Sequence, residues 1–545
     1  MPTILGGFVR QRLLLLSALL LILSLNVLAD DTHQHYDPNA KLGAVSFPVP
    51  SCSADAQKPF ERGIALLHSF WYEEAEKQFK AVAVQDPHCA MAYWGEAMSL
   101  YYQLWNRPDD ATVKLGWELI QKAQAIGAKT PRERGYIDAM AAFYRTAHGK
   151  WDFEKRATAY SRAMAKLYES NPHDHEAATF YALSLLGSEP DNDTSFANRK
   201  KAISILNMLF QEDPNHPGVA HYLIHACDNP QFAPAGLAAA RRYAQIAPAS
   251  PHALHMPSHI FARRGLWQED IDSNLASIAA TQHNETGMHM GAENQVHAMD
   301  FLEYAYLQIG EDAKAKAVVD QLASIPPEDV DPSLKGYLNR MRAHFPAMYA
   351  LETKNWKEAT ALQPPPGAEP YGQAITYWAQ AVGAGHLHDA AAAGRAVDQY
   401  NAMIEATRKS DRPYAVDGMS TNRDEATAWL AFAEGQNEEA IGLLKSVADK
   451  QDAIGKGEVE LPAREMLADM LLQLDRPEEA LVQYEKSMKI DPNRFNALAG
   501  AAQAAGLAHE TGKATTYYAA LLKNCDGVNS DRPELMRAKA LVAEK

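Results

Sequence analysis

Two distant stretches of this chain share one spacing of residue types, and that spacing admits few folds. In FERGIALLHSFWYEEAEKQFKAVAVQDP, Gly63, Ala75, Phe79 and Pro87 follow one another at intervals of twelve, four and eight. In LADMLLQLDRPEEALVQYEKSMKIDP, Ala468, Ala480, Tyr484 and Pro492 repeat the same three intervals. A third copy, ATAWLAFAEGQNEEAIGLLKSV, keeps Ala428 and Ala440 twelve apart, with Leu444 in the aromatic place. Small residues let two antiparallel helices approach, the large apolar residue fills the seam, and proline ends the second helix. Each pair buries its apolar face only against its neighbours. The pattern therefore predicts an all-α chain, an α-solenoid of antiparallel helix pairs with a concave inner surface.

This skeleton resembles the tetratricopeptide repeat, strongly near both ends of the chain and more loosely between them. At 545 residues the chain has room for one extended array or several domains. Turn-rich breaks at 188–197, 324–332 and 363–370 interrupt the helical pattern, and the last two divide an N-terminal solenoid, 56–345, from a C-terminal one, 346–545. Ahead of them, residues 30–55 read as an extended leader.

Residues 1–29 have the form of a secretory signal: Arg10 and Arg12, an apolar run from Leu13 to Leu25, then small residues at Val27 and Ala29. A periplasmic or secreted product is expected, with no membrane span in the mature chain. In an oxidising compartment, four cysteines allow three pairings, and Cys52 with Cys89 is favoured because they flank one repeat length. Cys227 and Cys525 suit buried free thiols as well. The formal net charge of −16 repels phosphate backbones, so nucleic acid is not an expected partner.

Of 20 histidines, nine lie between His216 and His297. The pair His221 and His225 recurs as His255 and His259, displaced by one length of the structural repeat. Helical spacing puts His221 over His225, and His255 over His259, while His252 shares their face. The following repeat aligns His297, Asp300 and Tyr304 with His252, His255 and His259. Neighbouring first helices thus direct His221, His225, His252, His255, His259, His297 and Asp300 at one patch, a candidate metal site within 215–310. Zinc fits such a set best; copper comes second, since Met288 and Met290 flank His289. Asp228 and Glu293 suit either a place among the ligands or one behind the imidazoles. Pro257 falls within the helix that carries His255 and His259, where it is expected to kink the helix or to restart it.

The run HYLIHACDNP followed by HALHMPSHIFARRGLW resembles a block found in exported bacterial tetratricopeptide-repeat proteins. That resemblance implies the fold and the compartment and says nothing of a substrate. Asp270 and Asn274 depart from the repeat consensus, standing where an alanine and an aromatic are usual. No His-Glu-x-x-His, Gly-x-Ser-x-Gly, phosphate loop or Cys-x-x-Cys occurs, so no familiar enzyme is indicated. The expected role is binding of a protein or peptide in the concave groove, with a transition metal in its middle. Two alternatives stay open: a metal-dependent hydrolase or oxidase with Asp228, Glu293 or Asp300 as general base, and a metal-free structural adaptor.

Overall fold

The computed structural model describes residues 40–104, 107–145, 153–190, 193–283, 288–326, 334–410, 413–457 and 459–543. Within them helix follows helix from Gln57–His68 to Pro533–Ala543, each packed mainly on its neighbours in sequence. No strand occurs among the described residues. Short connections between successive packed helices give antiparallel pairs, and the stack of pairs is an α-solenoid of tetratricopeptide type.

The repeated spacing has a direct physical cause. Phe79 is fully buried, and its ring lies so close to Gly63 and Gly95 that a Cβ there would stand 2.6 and 2.4 Å from ring atoms. Tyr484 is packed in the same way on Gly500, in the first helix of the following pair, where a Cβ would be 2.3 Å from the ring. Each ring thus locks the second helix of one pair to the first helix of the next, contributing about 1.5–3 kcal/mol by burial. Helices Tyr72–Gln85 and Pro477–Ile490 then stop at Asp86 and Asp491. The residue before a proline disfavours helical geometry, and Pro87 and Pro492 follow immediately.

The superhelix coils until distant repeats touch. Helix Gln57–His68 packs against helix Pro217–Cys227, several repeats further along the chain. Cys52 and Cys89 are joined in a disulfide at the start of the array, while Cys227 and Cys525 are buried free thiols. Further along, Gly265 has φ 60 and abuts the Pro492 carbonyl, from which a Cβ would be 2.2 Å. Beside it Trp267 Nε1 donates to the Asn493 carbonyl at 2.8 Å, and Arg263 Nη1 to the Lys456 carbonyl at 2.7 Å. The histidine-rich middle is therefore clasped by N-terminal helices on one side and C-terminal helices on the other.

One buried apolar cluster runs from Leu42 to Phe261 and the next from Ala262 to Ala514, so the histidines straddle the seam between them. Helix Lys335–Glu352 passes through the expected division at 345/346, with Pro346 inside it. The breaks at 188–197 and 363–370 fall between helices His175–Gly187 and Ala197–Glu212, and between Trp356–Ala361 and Pro370–His386. No helix among the described residues is long and apolar enough to cross a membrane. The signal-like segment 1–29, most of the leader's first part, and part of the break at 324–332 lie outside the described residues.

Candidate metal centre

Helix Pro217–Cys227 is started by His216, whose Nδ1 accepts from the Val219 amide at 3.2 Å, with Pro217 at the first helical position. It carries His221 and His225 one turn apart. The next first helix is broken as Pro257 demands: Pro251–His255 ends at Met256, and Pro257–Arg264 begins there. His252 and His255 belong to the first segment and His259 to the second. His297 comes from helix Met288–Gln308.

These six imidazoles form two groups of three. In His221, His225 and His252 one ligand nitrogen of each lies within 4.8 Å of the others, and the same holds for His255, His259 and His297. His221 Nε2 is 3.0 Å from His252 Nε2 and 3.1 Å from His225 Nε2. His255 Nε2 is 3.0 Å from His259 Nε2. Tetrahedral ligands at about 2.0–2.1 Å from a metal lie about 3.3 Å from one another, close to these separations. The groups adjoin, with ring centroids 6.3 Å apart for His225 and His259 and 6.4 Å for His252 and His255.

The partners behind the rings fix where the protons sit. His221 Nδ1 is 2.6 Å from the His68 carbonyl, which only accepts, so the proton is on Nδ1 and the Nε2 lone pair points into the group. His259 Nδ1 meets the Asp228 carboxylate at 2.9 Å, with the same consequence. His255 Nδ1 meets Asn274 Oδ1 at 2.7 Å, and the Asn274 amide is oriented by donating through Nδ2 to Asp270 Oδ1 at 2.6 Å. In their neutral forms His255 and His259 therefore turn two lone pairs toward each other. Only a shared cation, a proton or a metal ion, makes that contact favourable. A third donor in each group exceeds what one shared proton uses.

Each group surrounds one phenyl ring. Phe70, at φ 52 in the turn after helix Gln57–His68, lies 4.4, 5.3 and 5.7 Å from the rings of His221, His225 and His252. Phe301 lies 5.0, 4.7 and 5.3 Å from those of His255, His259 and His297. His221 also stacks on Tyr243. Burial pushes the His221 imidazole down to about 3 and His252 well below the ordinary histidine value, so both stay neutral near pH 7. His225 and His297 are partly buried, so each group has one imidazole that is not fully enclosed among the described residues.

The aspartate expected beside them is elsewhere. Asp300 belongs to neither group of three; its carboxylate is 3.2 Å from His344 Nε2. It shares helix Met288–Gln308 with His297, and His344 approaches it there from helix Lys335–Glu352. Tyr304, its neighbour in register, bonds to Arg494. Asp228 stands behind His259 and is held on its other oxygen by Arg263 Nε at 3.0 Å. Glu293 carries no ligand atom in either group. The side chains of residues 282–292, among them His289, lie outside the described residues.

Two features escaped the histidine register. His68 and His216 flank Glu176 at 2.8 and 3.0 Å in a fully buried cluster. Burial raises Glu176, but the two imidazoles outweigh it and hold the carboxyl far below its usual range. Burial lowers His216, yet Glu176 outweighs it and keeps the imidazole above its ordinary value, while burial keeps His68 lowered. The cluster is thus a hydrogen-bonded one, in which His216, with Nδ1 accepting from the Val219 amide, donates through Nε2 to Glu176, and Glu176 in turn holds His68, the residue whose carbonyl orients His221. Asp270 and Asn274, the departures from the repeat pattern, are the second feature, since both are buried behind His255. Their exchange for polar types was the visible signal.

No protein-family model matches the sequence, and no curated protein matches it. Among solved structures the chain is similar to the TPR domain of P58(IPK), at 14% identity and TM-score 0.19 over 90% of this chain and 99% of that one. It is similar to the Cut9–Hcn1 hetero-tetramer of APC/C at 12% identity and TM-score 0.35, covering 89% and 90%. It is also similar to a human IFIT1 dimer at 10% identity and TM-score 0.35, covering 80% and 91%. The architecture is fixed by this chain's own helices, independently of these likenesses. In residue skeleton and in helix order alike, the chain is a tetratricopeptide-like α-solenoid.

Proposed function

We propose that this protein is an exported helical-repeat scaffold that holds two transition-metal ions side by side, one on His221, His225 and His252 and the other on His255, His259 and His297. The observation that carries the proposal is the contact of His255 with His259: Asn274 and Asp228 hold the Nδ1 protons, and the unprotonated Nε2 atoms face each other at 3.0 Å. Anchoring of the far nitrogen by a carbonyl, amide or carboxylate is the usual support of a metal-binding imidazole. Burial of His221, His252, His255 and His259 also argues against their lining an open, metal-free peptide groove. The signal-like N-terminus and the Cys52–Cys89 disulfide support export to an oxidising compartment. A protein or peptide partner has the remaining inner surface of the solenoid to bind.

The test is metal analysis of untagged protein purified from its native compartment without chelator, followed by titration of the chelator-stripped protein with zinc and copper. Two ions per chain are expected, falling to one in a His255→Ala/His259→Ala variant of unchanged helical content. A wild-type protein that takes up neither metal overturns the proposal.

A further inference from the structure

The two ligand groups contain six imidazoles and no carboxylate, which restricts the chemistry of the ions they hold. Paired divalent ions in hydrolytic centres are normally neutralised by shared carboxylates, because two like charges close together in a poorly solvated site repel strongly. Here the carboxylate behind His259, Asp228, already offsets Arg263, and Asp300 belongs to neither group. Asp270 is bonded to the neutral Asn274 amide behind His255 and belongs to neither group. Replacing two dications by two monocations reduces their mutual repulsion about fourfold, since it scales with the product of the charges. Among metals that imidazole binds well, copper is the one with a stable monovalent state. Three neutral donors per ion also leave a coordination position for a further ligand.

Each group is packed on a phenyl ring, Phe70 for the first and Phe301 for the second, and His225 and His297 are their partly buried members. A hydrolytic centre requires a base that takes a proton from water. Asp228, which backs His259, is instead bonded to Arg263, and Asp300 lies outside both groups, 3.2 Å from His344 Nε2. A small, neutral, apolar ligand that can bridge two ions fits this space better than an ester or a phosphate does.

We propose that the paired triads carry two copper(I) ions and bind dioxygen between them. This rests on the two-ion proposal above and adds to it the metal and the ligand. Each copper(I) gives one electron and becomes copper(II); dioxygen takes both, its O–O bond order falls from two to one, and it is held as peroxide bridging the ions. No proton is consumed, and the reverse transfer releases dioxygen.

The experiment uses the full chain, stripped of metal and loaded with copper(I) in the absence of air, after which dioxygen is admitted. Expected are two copper ions per chain, one dioxygen taken up per two copper, a new near-ultraviolet absorption, and no electron paramagnetic resonance signal, because the two copper(II) spins pair. His297→Ala and, separately, His225→Ala should each leave one copper and abolish the uptake. Two copper ions bound without dioxygen uptake, or with the resonance of isolated copper(II), overturn this proposal and leave the two-ion site standing. So does a site that fills with zinc and refuses copper(I). Failure to bind either metal overturns both.

Discussion

His255 and Asn274 are joined by a 2.7 Å hydrogen bond that decides which nitrogen of the imidazole faces the candidate metal position. Asn274 is itself oriented by Asp270, so two residues on helix Trp267–His283 set the tautomer of a histidine on the preceding segment. Asn274→Leu removes the acceptor. Metal affinity of the second triad is expected to fall roughly 10–100-fold, while the first triad, anchored by the His68 carbonyl, is unchanged. Competition with a chromogenic chelator reads both affinities in one titration. Equal weakening of the two ions, or of neither, contradicts this role for Asn274.

Gly218 sits where helix Pro217–Cys227 crosses His68, and a Cβ there would be 2.3 Å from His68 Nδ1. The His68 ring has little freedom to retreat, being bonded to Glu176 and Tyr222 and stacked on Phe180 at 5.0 Å. Gly218→Ala should therefore cost about 1–3 kcal/mol of overpacking and shift the carbonyl that orients His221. A lower unfolding midpoint together with weaker metal binding at the first triad is expected. Binding that survives unaltered would show that the His68 carbonyl is not needed.

The pair spacing of Phe79 with Gly63, and of Tyr484 with Ala468, was enough to read the solenoid, because close helix approach leaves a mark in residue size. The register of His221, His225, His255 and His259 was legible for the same reason, each pair occupying one face of a repeated helix. Asp300 shows the limit of that method. Repeat position predicts which face a side chain is on, not which neighbour meets it, and His344 approaches Asp300 from helix Lys335–Glu352. The division of six histidines into two triads depends on how far the superhelix rotates per repeat. His68 and Glu176 were out of reach altogether, since they join the site only when the first repeat meets helix Pro217–Cys227, and no periodicity encodes that contact.

Arg494 is completely buried and is held by Glu352 at 2.7 Å and Glu465 at 2.9 Å, with the Tyr304 hydroxyl also in contact. It ties three separate helical pairs together beside the metal region. Arg494→Met leaves two carboxylates facing each other without a cation. A loss of about 3–5 kcal/mol is expected, as for other broken buried pairs. Adding Glu352→Gln and Glu465→Gln to the variant should recover much of it. Urea unfolding followed by circular dichroism measures both, and a single variant as stable as the parent would contradict the role.

Glu425 gives the stability of the C-terminal repeats a definite pH dependence. Burial pushes its carboxyl up to about 8, against the opposing hydrogen bond from Trp378 Nε1 at 2.9 Å. The folded state thus keeps a proton that the unfolded chain, near the ordinary 4.5, has already lost. Stability from this group is full below that unfolded value and declines as pH rises through about 8, because the unfolded state binds fewer protons across the interval. Glutamine mimics the protonated form and does not titrate. Glu425→Gln should therefore match the parent near pH 4.5 and exceed it by a few kcal/mol above pH 8, where the parent must either bury a charge or open the contact with Trp378. Thermal unfolding of the two proteins at both ends of this range checks the sign. A gap that is largest at low pH would mean that the carboxylate, and not the acid, is the form the fold was built around.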